Sequence, residues 1–195
     1  MKPGLYAMQV RALLDAVRDR VAAGGKPIVE VMIPLTVSDD ELALARSWVV
    51  AAAEELDITS TLLIGTMIET PRAALVADRM ARVADFFSFG TNDLTQMTFG
   101  FSRDDVEAKM MPEYVGQGLL PGDPFDSIDV DGVGELVRQA VQRGRSVKRR
   151  LKIGVCGEHG GDPRSIAFFV DAGVDYVSCS PFRVPIARLA AAHAV

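Results

Sequence analysis

Only two cysteines, Cys156 and Cys179, occur in the 195 residues, so no disulfide framework holds this chain together. Histidine is as scarce, with His159 and His193 alone. Cys156-x-x-His159 has the spacing of half a zinc site, but no second pair completes it. No apolar run approaches the ~18 to 20 residues of a membrane-spanning helix, so a membrane partner is not expected. Basic residues are outnumbered, 21 Lys and Arg against 26 Asp and Glu, and the net charge of −5 argues against nucleic acid or an anionic membrane as partner. The basic cluster Lys148-Arg149-Arg150 is short, precedes a strand, and reads as a solvated turn. Neither a glycine-rich dinucleotide fingerprint nor a P-loop is present, and no sequence-level repeat stands out beyond a β-α alternation. Met1-Lys2-Pro3-Gly4 lacks the apolar segment of a signal peptide, and a cytoplasmic location is expected.

What is there is an ordinary globular composition, 49% hydrophobic and 24% charged, in a length that suits one domain over residues 1–195. Helical periodicity over Tyr6 to Ala23 stops at Gly24-Gly25. A strand follows over Pro27 to Leu35. Ser38 then caps a helix reaching about Leu56, with Asp39, Asp40 and Glu41 in its first turn. Thr61 to Ile68 is the next strand, Pro71 opens a helix through Met80, and Phe86 to Phe89 is a short buried strand. From Leu94 to Asp126 the pattern loosens into an irregular excursion with short helical pieces. Asp129 to Gly144 is helical again, followed by the strand Leu151 to Val155, a helix from Pro163 to Ala172, a strand from Tyr176 to Cys179 and a last helix from Val184 to Ala194. Five strands alternating with helices imply parallel strands with right-handed crossovers, hence an α/β fold: either a doubly wound sheet or part of a (β/α)8 TIM barrel.

In such folds chemistry sits at the carboxyl ends of strands, and three of those ends are suggestive. Glu69 falls just past one strand, Asp93 just past the next, and Cys156 ends a third before the glycine-rich turn Gly157-Glu158-His159-Gly160-Gly161. Taken singly, Glu69 reads as a first-turn helix residue, Asp93 as an N-cap and Cys156 as a small buried hydrophobe. Neighbouring strands bring the two carboxylates to one mouth, and a carboxylate pair with open positions suits Mg2+. His159 either tunes the thiol or orients the glycine turn. His193 reads as tail surface.

The stretches Gly65-Thr66-Met67-Ile68-Glu69-Thr70-Pro71 and Phe86 to Gln96, with Gly90-Thr91-Asn92-Asp93 at its centre, resemble the phosphoenolpyruvate-utilising enzymes. Met97 to Asp105, Cys156 to Pro163 and Tyr176 to Pro185 are similar to the pyruvate phosphate dikinase family within that group. The resemblance covers essentially the whole chain. It implies the C-terminal portion of a (β/α)8 domain that binds pyruvate or phosphoenolpyruvate with Mg2+ as cofactor. Glu69 and Asp93 would then hold the metal. Glu69, Gly90, Thr91, Asn92, Asp93 and Cys156 would bind the substrate, and Cys156 would be the catalytic acid/base at the methyl or methylene carbon, serving phosphoryl transfer between a phosphohistidine and pyruvate.

The family pattern is met in part only. Five strands stand where a closed barrel needs eight, and the family's nucleotide-binding and phosphohistidine domains have no counterpart here. N-terminal domains of a parent enzyme are therefore expected partners, along with a homo-oligomer that covers the open sheet edges. The expected function is the enolising half-site of a dikinase, incomplete for turnover. The alternative is a non-catalytic packing fragment that keeps the motifs. A Mg2+-dependent lyase or aldolase comes third, and the Cys-Gly-Glu-His segment argues against it.

Overall fold

The computed structural model describes residues 3–56 and 62–195. Thr61, expected to open a strand, lies outside them. Five strands, β1 (Val29–Ile33), β2 (Leu62–Ile68), β3 (Phe86–Gly90), β4 (Lys152–Cys156) and β5 (Tyr176–Val177), form one parallel sheet in the order of the chain. Among the described residues ten α-helices precede, separate and follow them: α1 (Pro3–Ala22), α2 (Asp39–Glu55), α3 (Pro71–Leu75), α4 (Ala77–Val83), α5 (Thr91–Phe99), α6 (Arg103–Val106), α7 (Met110–Gly116), α8 (Val133–Val147), α9 (Pro163–Asp171) and α10 (Val184–His193). The sheet is not closed.

Alternation along each strand sorts the side chains into two sets. Ile64, Ile68, Phe87, Phe89, Ile153 and Val155 are almost wholly buried and join Leu42, Val49, Met80, Val137 and Phe169 from the helices in one core. The opposite parity carries Glu30, Gly65, Ser88, Gly90, Lys152, Gly154, Cys156 and Tyr176. That second face is concave. Lys152 on β4 reaches Glu30 on β1 at 2.8 Å, although three strand spacings in a flat sheet would separate them by roughly 14 Å. The sheet is thus curled as a barrel wall is, with its helices outside.

The helix starts follow the local chemistry. Ser38 accepts the Glu41 N–H at 3.1 Å and caps α2 above three acidic first-turn residues. Thr70 caps α3 and Asp162 caps α9, each followed by a proline at the first helical position. The loose stretch after Leu94 resolves into most of α5, then α6 and α7, with irregular chain to Gly132. Two strands are shorter than the sequence suggested. Pro27 and Ile28 stay outside β1, and β5 ends at Val177, because it pairs with β4 alone and the Ser180-Pro181 turn draws the chain away. No helix among the described residues is long and apolar enough to cross a membrane.

Candidate active site

Glu69 leaves the end of β2 yet is only 2% exposed. Its Oε1 accepts the Leu35 N–H at 2.7 Å, and Leu35 itself has a φ of 52°, in the left-handed region a branched side chain seldom adopts. The other oxygen, Oε2, occupies the space a Cβ on Gly90 would need, so any larger residue at 90 would displace the carboxylate. Burial pushes the Glu69 carboxyl up from its ordinary value. The Leu35 N–H opposes that, while the charge and hydrogen bonding of Asp93 push the same way as burial. Asp93 lies in the first turn of α5, where the helix dipole favours an anion, and accepts a long bond from Gln96 Nε2 at 3.5 Å. The pairing of β2 with β3 has brought the two carboxylates together, as the sequence suggested, and neither is a helix cap.

Cys156 closes β4 directly opposite Gly90. Its Sγ donates to the Phe89 carbonyl at 3.5 Å. Burial raises the thiol pKa, a hydrogen bond with Ser88 lowers it, and the charges of Glu69 and Asp93 raise it again. Ser88 also lies close to Tyr176, whose own pKa is raised by burial and lowered by Ser88. Ser88, Gly154 and Tyr176 stand abreast on β3, β4 and β5, and the Tyr176 ring fills the space above Gly154. Sequence reasoning missed Ser88 and Tyr176. The signal was parity, since both share the inward face of Gly90 and Cys156.

The other expected site residues divide. Asn92 is half-buried and its Oδ1 accepts the Glu158 N–H at 3.4 Å, tying the β3 and β4 loops together. Thr91 is wholly buried, and its hydroxyl is turned to His159 Nδ1 at 2.8 Å. His159, equally buried, donates from Nε2 to the Pro124 carbonyl at 2.8 Å. Desolvation lowers the His159 pKa, so the neutral ring accepts from Thr91 and donates to Pro124. Both ring nitrogens are thereby used, and they tie the glycine turn to Thr91 and to the Pro124 carbonyl. Gly157, with φ at 107°, starts that turn. Arg103, at the start of α6, was given no role on sequence grounds. It lies 5.6 Å from the Phe125 ring and near enough to His159 to depress its pKa further. His193 is exposed, as expected.

Among the described residues no group of three or more His, Cys, Asp or Glu could hold a metal ion. The pair Glu69 and Asp93 is what the mouth offers. It fits a hard divalent cation that takes one or two carboxylates and completes its shell with water and ligand oxygens. A carboxylate whose pKa is raised by burial and, less, by the second carboxylate beside it, next to a glycine that leaves it room, is the observation in favour.

A curled parallel sheet with a carboxylate pair and a thiol at neighbouring strand ends belongs to the barrel class of α/β proteins. The chain is, more narrowly, a member of the family described as PEP-utilising enzyme, PEP-binding domain, which matches residues 1–195. It is 54% identical over 195 residues to "Pyruvate, phosphate dikinase 2" of Oryza sativa subsp. japonica, covering 98% of this chain and 22% of that protein. It is 55% identical over 195 residues to "Pyruvate, phosphate dikinase 2" of Zea mays, with the same coverage of 98% and 22%. With "Pyruvate, phosphate dikinase, chloroplastic" of Mesembryanthemum crystallinum it shares 54% identity over 197 residues, 99% of this chain and 21% of the relative. The chain thus spans about a fifth of the length of these relatives. A crystal structure of a citrate lyase from Burkholderia xenovorans LB400 shares the fold with a TM-score of 0.57, at 15% identity, over 83% of this chain and 48% of that one.

Proposed function

We propose that the chain is the C-terminal portion, residues 1–195, of a phosphoenolpyruvate- and pyruvate-binding barrel in a pyruvate phosphate dikinase, and that its mouth is the enolising half-site. The observation that carries this reading is the convergence of Glu69, Asp93 and Cys156 from three neighbouring strand ends, with Glu69 Oε2 in the space above Gly90 and Cys156 directly opposite Gly90. Glu69 and Asp93 would hold Mg2+. When bound, that ion would supply positive charge to the carboxylate and enolate oxygens of the substrate. Gly90 leaves the room that lets Glu69 face Asp93. Asn92 fixes the Glu158 turn beside the thiol.

Cys156 handles the proton. Its raised pKa keeps the sulfur protonated near neutral pH, the form that delivers a proton to the methylene carbon of an enolate and leaves a thiolate. The Ser88 hydroxyl beside the thiol favours that thiolate, which takes a proton from the pyruvate methyl group in the opposite direction. The enolate oxygen at this mouth would be the phosphoryl acceptor, and the phosphoryl donor of the full reaction would come from outside this chain's own residues, on domains the relatives' greater length accommodates. The isolated chain is therefore expected to bind ligand without turning over. A cytoplasmic location belongs to the same reading, with a plastid as second location because several relatives are named chloroplastic.

Calorimetric titration with Mg2+ and oxalate, a planar mimic of the pyruvate enolate, tests the reading. Wild-type chain is expected to bind the pair, and Glu69→Gln and Asp93→Asn are each expected to lose it. Undiminished binding in both variants would remove the carboxylates from the site.

A further inference from the structure

The sequence shows no repeat on its face, but the register of the sheet aligns two stretches of the chain. Thr66 faces Phe87 between β2 and β3, and Val155 faces Val177 between β4 and β5. On that alignment Ile64-Gly65 falls on Ile153-Gly154, Glu69 on Glu158, Asp85-Phe86 on Asp175-Tyr176, and Ser88 on Ser178. The contacts repeat with the residues. Asp85 donates its N–H to the Ile64 carbonyl and accepts the Ile64 N–H on Oδ2, both at 2.8 Å. Asp175 does the same with Ile153, at 2.8 and 2.7 Å. Arg46 pairs with Asp85 at 2.8 Å and Arg145 with Asp175 at 3.0 Å, each from the helix that precedes the first strand of its unit. The Phe86 ring fills the space above Gly65 as the Tyr176 ring fills that above Gly154.

One aligned position reverses its charge. Asp93, third residue after β3's last glycine, corresponds to Arg183, third after Ser180. Glu158 thus faces a cation where Glu69 faces a second carboxylate. Arg183 Nη1 lies 3.6 Å from Glu158 Oε2 and 3.3 Å from the Glu158 backbone oxygen, and the Arg183 stem packs where a Cβ on Gly161 would stand. A half-exposed ion pair alone is worth little. Here the backbone bond and the seated stem add to it, so the guanidinium is tied to the loop that follows the thiol.

We propose that residues 62–93 and 151–183 are two copies of one βαβ unit, and that Arg183 takes the place in the second copy that the divalent cation takes in the first, neutralising Glu158 and positioning the Cys156-Gly157-Glu158 turn. The inference rests on the reading of Glu69 and Asp93 as metal ligands. It makes Arg183 a positioning residue for the thiol and limits the chain to one cation.

Mn2+ titration followed by electron paramagnetic resonance counts the sites. Wild type is expected to bind one ion, lost in Glu69→Gln. Arg183→Asp is expected to bind two, the added ion disappearing in Arg183→Asp with Glu158→Gln and surviving in Arg183→Asp with Glu69→Gln. An unchanged count in a folded Arg183→Asp chain overturns the inference and leaves the Glu69 site standing. No ion on wild type, with one on Arg183→Asp that Glu158→Gln removes, overturns the metal reading and leaves the pairing of the two units intact. Arg183→Met keeps the stem and deletes the charge, which covers the case in which Arg183→Asp does not fold. In a Cys179→Ser background its Cys156 should react with iodoacetamide at a rate severalfold different from wild type, and Arg183→Lys should restore the wild-type rate. Equal rates in all three overturn the positioning role.

Discussion

At the scale of single residues, the buried pair Thr91 and His159 sets how the thiol turn responds to acid. Desolvation holds the His159 pKa below that of an unfolded histidine, so the folded chain binds fewer protons than the unfolded one in that range. Its contribution to stability is complete above the unfolded value of about 6.5 and is lost as pH falls toward the folded value. Chemical denaturation at a series of pH values should show stability declining below about pH 6.5, with that slope reduced in His159→Gln. The same slope in both would contradict the assignment. Gly90→Ala is expected to drive a methyl group into Glu69 Oε2, to cost about 1–3 kcal/mol, and to abolish binding of Mg2+ with oxalate. A melting curve and a calorimetric titration on the same variant check both parts. Cys179, which lies beyond β5 on the Ser178-Cys179-Ser180 turn, should tolerate serine with no change in ligand binding.

At the scale of elements, the aspartates that precede β3 and β5 each tie one strand to the next. Removing either leaves an isoleucine N–H without its acceptor, at a cost of about 1–3 kcal/mol. Asp85 sits inside the sheet with its side chain 24% exposed, whereas Asp175 serves the edge strand at 46%. Asp85→Ala should therefore lower the denaturant midpoint more than Asp175→Ala, and the reverse order would contradict the account. These ties were illegible in the sequence, because an Asp before a strand looks like any turn residue until the register is known. The strands themselves were legible from alternation, and Glu69, Asp93 and Cys156 from their places just past those strands. Strand ends were less so, since β5 depends on a single neighbour. Thr91 was expected to line the substrate, yet it points at His159, a choice made by side-chain packing that motif position cannot reveal.

At the scale of the whole molecule, β1 and β5 are the two open edges of a curled sheet. Met32 and Leu63 stand 37% and 42% exposed on the concave parity that a closed barrel would bury. Exposed edges and apolar surface favour self-association. Light scattering on the isolated chain should report a dimer, a larger oligomer or progressive aggregation, and a stable monomer would contradict this. The central claim is that the mouth enolises pyruvate through Cys156 beside a cation held by Glu69 and Asp93. Its most direct test is proton NMR of pyruvate in deuterated water, with a full-length enzyme carrying this segment. Loss of the methyl signal should require Mg2+ and should be suppressed in Cys156→Ser, because a serine hydroxyl is far too weak an acid for the role. Exchange in Cys156→Ser at the wild-type rate would contradict the account.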